Sequence, residues 1–401
     1  MLALLSDYES LRLIWWVLLG VLLIGFALTD GFDLGVGALL PFVGRTDVER
    51  RVAIHTVSAT WEGNQVWLVL GGGAIFAAWP ALYALSFSGF YLAMFLVLFA
   101  LILRPVAFKY RSKRASAAWR ARWDWALFVG GAVPALIFGV AVGNVLQGVP
   151  FHFTGDLRPI YGGGLLGLLN PLALLCGLVS LAMLVAHGAA WLAFKAEGPV
   201  AERARAIGLK AALATAALFA LGGLLVWAGA FGGYRVASPL PGDGPSNPLT
   251  KAVVADAGAW LANFWAHPAL ALVPLLGIAG PLLAALGFRT RHEGLTFLAS
   301  SLGIACIIAT VGLSMFPVIL PSNTHPGHAL TVFDASSSRA TLRNMLIATV
   351  IFLPIILAYT AWVYRVLWGK VSDRDITAPG SAAYGRSRPR RRRGLLSPQE
   401  T

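Results

Sequence analysis

Residues 11–38 read LRLIWWVLLGVLLIGFALTDGFDLGVGA, and this stretch decides the class of protein. It is longer than the roughly 20 apolar residues that a helix needs to cross a hydrocarbon core about 30 Å thick. Its apolar residues run on continuously, whereas a transmembrane β-strand would alternate over about ten residues. The stretch therefore predicts a membrane-spanning α-helix, and this helix carries two acidic residues, Asp30 and Asp33.

Long apolar runs continue through the rest of the chain. Of the 401 residues in the whole chain, 58% are apolar and 12% are charged, whereas about 25% of a typical soluble domain is charged. This composition excludes an ordinary soluble enzyme, a disordered chain and a nucleic-acid-binding module. We predict an all-α integral membrane protein with a polytopic domain over residues 1–376. Its nine expected spans are 11–38, 54–79, 81–107, 124–146, 164–194, 207–231, 264–287, 294–320 and 343–368.

Lysine and arginine residues set the predicted orientation, because cytoplasmic loops of membrane proteins are enriched in them. With the N-terminus outside, the four inner connections hold 15 basic residues and the four outer connections hold 5. The chain after Trp368 adds eight more on the inner side. We therefore predict an outer N-terminus, a cytoplasmic C-terminus, and a basic disordered cytoplasmic tail over residues 377–401. The net charge of +13 then follows from topology and does not indicate a nucleic-acid partner.

A polar stripe is expected on the second span. Charges inside a bilayer are costly and usually functional, and Glu62 lies within this span. The spacings between His55, Ser58, Glu62 and Gln65 are three, four and three residues, so one continuous helix would place all four on one face. Such a stripe can hold water and pass protons. The alternative is a structural hydrogen-bond network, with Glu62 neutral or paired to a base such as Arg104.

Three further acidic residues lie within or at the ends of predicted spans. Asp30 and Asp33 are spaced i, i+3 on the first helix, where they form either a proton or cation site or pairs with arginines of the inner loops. Asp124 is expected to begin the fourth helix, where the helix dipole would stabilise its charge.

Histidine and cysteine give no pattern of a bound metal. His55, His187 and His267 lie within or at the ends of spans, but their positions do not suggest two ligands facing each other across a haem. Cys176 and Cys306 lie in separate apolar runs without metal-binding spacing. We therefore expect neither haem nor a metal ion bound by this chain itself.

Seven motifs, in order along the chain, resemble subunit II of the cytochrome bd quinol oxidases, and the resemblance extends from residue 1 to about 376. They are TDGFDLG (29–35), WEGNQVW (61–67), GGGAIFAAWP (71–80), SFSGFY (86–91), RPVAFKYRSK (104–113), WDW (123–125) and GNVLQGVPF (143–151).

The resemblance implies a complex in the bacterial cytoplasmic (inner) membrane that oxidises ubiquinol or menaquinol and reduces O2 to water. Haems b558, b595 and d would be ligated by the partner, subunit I. Subunit II would consist of two four-helix bundles plus one peripheral helix. It would support subunit I, supply part of a proton path and, as a structural component, hold a quinone. A small single-helix subunit and membrane lipids are the other implied partners.

The resemblance also bears on individual residues. Asp33, Glu62, Asp124 and Arg104 fall on charged positions of the family's motifs, although the family has Asp where this chain has Glu62. The candidate proton path comprises Glu62, Asp33, Asp124, Asp30, His55, Ser58 and Gln65, with Arg104 and Trp61 as charge or structural partners. The alternative function is a stand-alone proton- or cation-coupled secondary transporter, in which prolines would break helices around a central site.

Overall fold

A computed structural model of the chain describes residues 7–377, and the predicted basic tail therefore lies outside the described residues except for Thr377. The helices are α1 Tyr8–Val43, α2 Asp47–His55, α3 Trp61–Ala78, α4 Pro80–Gly89, α5 Tyr91–Tyr110, α6 Ala117–Gln147, α7 Pro171–Lys195, α8 Gly198–Trp227, α9 Ala259–Ala266, α10 Leu272–Thr290, α11 Glu293–Met315, α12 Arg339–Val366 and α13 Asp373–Thr377. The strands are β1 Phe151–Phe153, β2 Pro159–Tyr161, β3 Gly233–Val236, β4 Val253–Asp256, β5 Val318–Leu320 and β6 Leu330–Thr331.

Side-chain caps begin several of the long helices. Asp7 precedes α1 and its carboxylate accepts a hydrogen bond from the backbone N–H of Ser10. Asn170 precedes α7 in the same way and accepts from the N–H of Ala173. The first N–H groups of a helix have no acceptor within the helix. Each of these caps supplies an acceptor to one such N–H group.

The helices confirm the membrane class. Within residues 7–377, eight helical segments are long and apolar enough to cross a membrane. Helix α3, with 18 residues, corresponds to the remaining predicted span and packs along α1. It is less apolar than the others because its first turns contain Glu62, Asn64 and Gln65. The prediction of about nine spans is therefore close to the structure.

The spans pack as two groups of four. Helices α1, α3, α5 and α6 form the first bundle, and α7, α8, α10 and α11 form the second. The bundles meet where α1 packs against α7 and α11, and where α6 packs against α7. Helix α12 packs on α1 and α3 from outside, and only 6% of the residues in its most apolar stretch are buried. This arrangement confirms the two bundles and the peripheral helix.

Close backbone packing joins the two bundles beside the acidic residues of α1. Gly35 lies so near α7 that a Cβ atom there would overlap the carbonyl oxygen of Leu184 and approach Gly188 to 2.9 Å. Phe32, one turn earlier, stacks on Trp191 with 4.1 Å between ring centroids. Small residues thus let the helices approach closely, and this contact fixes the rotation of α1 and the direction of Asp33.

The second predicted span, 54–79, is not one helix, so its single polar face is a wrong prediction. Helix α2 ends at His55, a turn follows, and α3 begins at Trp61. In the turn, the hydroxyl of Thr56 donates to the carbonyl of Ala53 at 2.7 Å, and that of Thr60 donates to the carbonyl of Val57 at 3.3 Å. Side-chain hydrogen bonds of this kind compete with the helical ladder. The third predicted span, 81–107, is also divided, into α4 and α5.

Three small antiparallel hairpins lie in the connections predicted to be outside or at their edges. Strand β1 pairs with β2, β3 with β4, and β5 with β6. They leave the fold all-α in class, since no strand within residues 7–377 exceeds four residues.

Candidate proton-transfer site

A buried ion pair lies between α1 and α5. Asp30 is fully buried and Arg104 is 2% exposed. The two guanidinium nitrogens donate to the two carboxylate oxygens, Nη2 to Oδ1 at 2.6 Å and Nη1 to Oδ2 at 3.0 Å. The planar fork of arginine matches a carboxylate in this two-bond geometry. Arg104, the partner suggested for Glu62 from the sequence, therefore pairs with Asp30 instead.

Asp33, one turn further along α1, has a different environment. It is 3% exposed and its Oδ2 accepts a hydrogen bond of 2.8 Å from Nδ2 of Asn64 on α3. Its other oxygen, Oδ1, is buried and has no hydrogen-bond partner within residues 7–377. Buried polar atoms are nearly always satisfied. Asp33 is thus a buried carboxyl group with an unused position for a proton or a water molecule.

Asn64 is held in turn by the peripheral helix. The hydroxyl of Tyr364 on α12 donates to Oδ1 of Asn64 at 2.8 Å. Because the amide oxygen accepts from Tyr364, the amide nitrogen is directed at Asp33. A groove of about 570 Å³ opens at this end of α12, lined by Ala361, Tyr364, Arg365 and Trp368. The line Tyr364–Asn64–Asp33 therefore leads from a groove on the bundle surface to the buried carboxyl group.

Sequence reasoning missed Asn64 and Tyr364. Asn64 belongs to the motif at 61–67, and its position two residues after Glu62 places it on another side of α3. Tyr364 lies 300 residues further along the chain, and its helix shows no polar pattern that would select it. The signal for Asn64 was its amide inside an apolar span, whereas Tyr364 required knowledge of the helix packing.

The four residues of the predicted stripe are distributed over three elements. His55 ends α2, Ser58 lies in the turn, and Glu62 and Gln65 are on α3. Glu62 is exposed on the surface of the chain, while Gln65 is half-buried. Partial burial, and after it the positive charge of Arg51, lowers the pKa of His55, which lies outside the candidate spans.

Trp61 occupies the first position of α3 and is buried. Its ring packs against Phe108 with 5.5 Å between centroids, and the guanidinium carbon of Arg104 lies 5.8 Å from the ring centroid. Trp61 therefore lies beside the guanidinium group of the Asp30–Arg104 pair, and its structural role stays a prediction.

Asp124 does not begin its helix, so the interpretation based on the helix dipole is wrong. Helix α6 begins at Ala117, two turns earlier. Asp124 is 1% exposed and accepts hydrogen bonds from Arg111 at 2.5 Å and from Arg50 at 2.7 Å. Arg111 also pairs with Asp47 at 3.0 Å. Asp124 therefore joins α6 to α2 and to the segment directly after α5, at the end that carries the basic loops.

A further ion pair holds the short helix α2 against α8. Glu49 completes a capping box with Thr46, and its carboxylate lies 2.8 Å from Nη1 of Arg203 on α8. The hydrogen bond from Arg203, followed by backbone hydrogen bonds from Arg45 and Thr46, outweighs partial burial and lowers the pKa of Glu49 to about 2.

His187 is the predicted span histidine that lies inside a helix, α7. His187 is fully buried, and its two ring nitrogens lie 2.8 Å from the hydroxyl of Ser300 and 3.0 Å from the carbonyl of Leu28. Phe297 stacks on its ring at 4.9 Å. Both nitrogens are therefore occupied and one face is covered. Within residues 7–377, no group of three or more His, Cys, Asp and Glu side chains is arranged to hold a metal ion.

Comparisons with known proteins agree with this architecture. A family model described as "Cytochrome bd terminal oxidase subunit II" matches residues 11–367. The chain is 51% identical over 378 residues to "Cytochrome bd-I ubiquinol oxidase subunit 2" of Escherichia coli, covering 94% of this chain and 100% of that protein. It is 50% identical over the same shares to "Probable cytochrome oxidase subunit 2" of Haemophilus influenzae.

A solved structure, "The structure of bd oxidase from Geobacillus thermodenitrificans", contains a chain with the same fold. It superposes with a TM-score of 0.68 and covers 89% of this chain and 98% of that one, at 17% identity. The family match, over residues 11–367, covers nearly all of the spans, which pack as two four-helix bundles with the Asp30–Arg104 pair inside the first. The chain therefore belongs to the family of cytochrome bd terminal oxidase subunit II.

Proposed function

We propose that this chain is the subunit of a quinol oxidase that ligates no haem, supports the haem-bearing subunit I and contributes a proton path. The 51% identity to a ubiquinol oxidase subunit supports a quinol as the electron donor and O2 as the acceptor. Family membership favours this function over the stand-alone transporter. The engaged ring of His187 supports placing haems b558, b595 and d in subunit I, and no step of the proposal passes through a haem in this chain.

Asp33 carries the proposal for proton transfer. Among the acids of α1, Asp30 is neutralised by Arg104, whereas Asp33 has one hydrogen bond and one unused oxygen. A carboxyl group that is buried without a cationic partner can exist in both protonation states, and such groups mark proton relays in membrane proteins. Asp33 would accept a proton at Oδ1 and release it toward the partner subunit.

Asn64 and Tyr364 have a positioning role in this proposal. An amide does not readily accept and release protons, so the line Tyr364–Asn64–Asp33 is not itself a proton wire. Tyr364 instead fixes the direction of the Asn64 amide, which then donates to Oδ2 of Asp33. This leaves Oδ1 as the oxygen at which a proton is exchanged. The groove beside Tyr364 opens at the surface, so water that enters it would come within two side chains, Tyr364 and Asn64, of Asp33.

Glu62 is the proposed link to the partner. It lies at the start of α3 and is exposed in this chain, although an acidic side chain facing lipid would be costly. That cost is removed if a polar surface of subunit I covers it. We place His55, Ser58 and Gln65 near the inner end of this route, and assign Asp30 and Asp124 to structural ion pairs.

The orientation remains part of the proposal. The excess of basic residues on one side favours an outer N-terminus and a cytoplasmic C-terminus. Asp33, Glu62 and the groove of α12 then lie toward the cytoplasmic side. The partners would be subunit I, a small single-helix subunit and lipid, with a quinone bound as an additional structural component.

Co-purification tests the assignment of the haems. A tagged form of this chain, expressed with its native membrane partners, is expected to bring with it a subunit that shows the absorbance of b- and d-type haems. The same chain purified without partners is expected to show none. Stoichiometric b-type absorbance in the isolated chain would contradict the proposal.

A further inference from the structure

Three histidines lie together in the loops at the end of the molecule opposite the basic connections. His152 is in β1, His325 directly precedes the short 3-10 turn Pro326–His328, and His328 is the last residue of that turn. The rings of His152 and His325 are 4.9 Å apart between centroids, and those of His325 and His328 are 5.3 Å apart. The ring planes of both pairs are tilted by less than 40°, and within residues 7–377 these histidines do not belong to a group of three or more side chains able to hold a metal ion. We call these three residues the histidine cluster.

The cluster holds two chain segments together. The backbone N–H of Phe153 donates to Nδ1 of His328 at 2.9 Å. This bond requires an unprotonated Nδ1, because a protonated imidazole has no acceptor nitrogen. The neighbouring bonds between the segments do not depend on pH: Ser322 Oγ and Thr324 Oγ1 both donate to the carbonyl of Phe151.

No acidic side chain on the surrounding elements is left to balance positive charge on the cluster. The turn packs on β1, on β4 and on the short segment Pro248–Thr250. Lys251 follows that segment, and its Nζ forms an ion pair with the carboxylate of Asp334 at 2.6 Å. Asp256 of β4 pairs with Arg235 at 3.1 Å. Asp156, in the connection after β1, pairs with Arg158 at 2.7 Å.

We propose that the histidine cluster is a pH-sensitive clasp, which holds the turn 325–328 against β1 at neutral pH and releases it on acidification. Protonation of His328 removes the acceptor of the Phe153 N–H, and positive charge on His152 and His325 repels it. The bonds from Ser322 and Thr324 remain, so the opening is confined to the turn. The clasp does not depend on the proposed proton path.

The direction of the pH effect follows from linkage. Partial burial, and then the charges of His325, His152 and Lys251, lower the pKa of His328 below its ordinary value of 6.5. The released turn therefore binds a proton more readily than the closed turn. The closed state has its full stability above pH 6.5 and loses it as the pH falls below that value.

Hydrogen exchange at the Phe153 amide, measured on the assembled complex and corrected for the intrinsic rate, tests the clasp. The protection factor is expected to fall about tenfold between about pH 7.5 and pH 5. His328→Asn should abolish this fall, since the Asn side-chain oxygen can replace Nδ1 as acceptor and does not titrate in this range. His292→Asn is the matched control, because His292 lies at the other end of α11, and it should respond like the parent.

Two results would overturn the proposal. One is a parent protein whose Phe153 protection changes less than twofold over this pH range. The other is a His328→Asn variant that loses protection on acidification as the parent does. If His328→Asn fails to assemble, His325→Gln provides the test. It removes one repelling charge and should reduce the fall in protection, and an unchanged fall would contradict the clasp.

Discussion

Arg104 and Asp30 form a two-bond ion pair inside the first bundle, although 74 residues separate them in the sequence. The pair leaves Asp33 as the buried acid of α1 without an ion-pair partner within residues 7–377. One buried acid is therefore fixed as a charge and the other is available for exchange. This difference between neighbouring carboxyl groups is the basis of the proposed proton path.

Arg104→Gln should strongly reduce assembly, because it leaves the Asp30 carboxylate buried without its cation. Removing one partner of a buried pair typically costs about 3–5 kcal/mol of stability. The double variant Asp30→Asn, Arg104→Gln should recover part of this loss, since both groups become neutral. The measurement is the yield and thermal midpoint of the assembled complex. A double variant no more stable than Arg104→Gln alone would show that the pair is not the source of the effect.

Gly35→Ala should disrupt the contact between the bundles. The added methyl group overlaps the Leu184 carbonyl oxygen on α7, and overpacking of this kind costs about 1–3 kcal/mol. Gly20→Ala is the matched control on the same helix, because no atom lies within 4 Å of its added Cβ. We expect a lower thermal midpoint for Gly35→Ala and an unchanged or slightly higher one for Gly20→Ala. Equal midpoints for the two variants would exclude close packing at Gly35.

Glu49 gives a pH-dependent contribution to stability. Its pKa is lowered from 4.5 to about 2 in the folded chain, mainly by the hydrogen bond from Arg203. The contribution is therefore fully present above pH 4.5 and is lost as the pH falls toward about 2. The stability difference between the parent and Glu49→Gln should be constant from pH 7 to about 5 and should shrink below that. Denaturation measured at several pH values checks this, and a difference that grows on acidification would contradict it.

The basic tail should be dispensable for turnover. Truncation after Thr377 removes only residues outside the described part of the chain, and oxidase activity should stay near normal. Truncation after Trp368 should be damaging, because it also removes Val371, whose N–H donates to the carbonyl of Lys195 at 2.7 Å, and the buried Ile376. Activity per assembled complex measures both effects. If truncation after Thr377 severely reduces activity while assembly stays normal, the tail takes part in turnover.

The membrane class and the approximate number of spans could be predicted from the sequence, because the length of an apolar run depends on local composition. The break at residues 56–60 could not. No Gly or Pro marks it, and it depends on threonine hydroxyls that bond to nearby carbonyls and on Trp191, whose indole N–H donates to the carbonyl of Thr56 at 3.2 Å. A partner from another helix helps to hold this turn.

The candidate site was predicted in part for a related reason. Asp30, Asp33 and Glu62 were identified because acids in apolar runs are rare, but their partners depend on the rotation of each helix in the bundle. That rotation is set by contacts such as the one between Gly35 and Gly188. The pairing of Arg104 with Asp30, and the line from Tyr364 to Asp33, therefore followed only from the packed structure.

The role of Asp33 is tested most directly by quinol-driven O2 uptake per assembled complex. Asp33→Asn keeps the size of the side chain and a hydrogen-bonding oxygen but cannot exchange a proton. We expect it to slow uptake about tenfold or more with all haems in place. Glu62→Gln should also slow it, and Glu62→Asp should have a mild effect. Asp156→Asn, in an outer connection, is the control and should match the parent. Parent-like uptake in Asp33→Asn would contradict the proposed proton path and make Asp33 a structural residue.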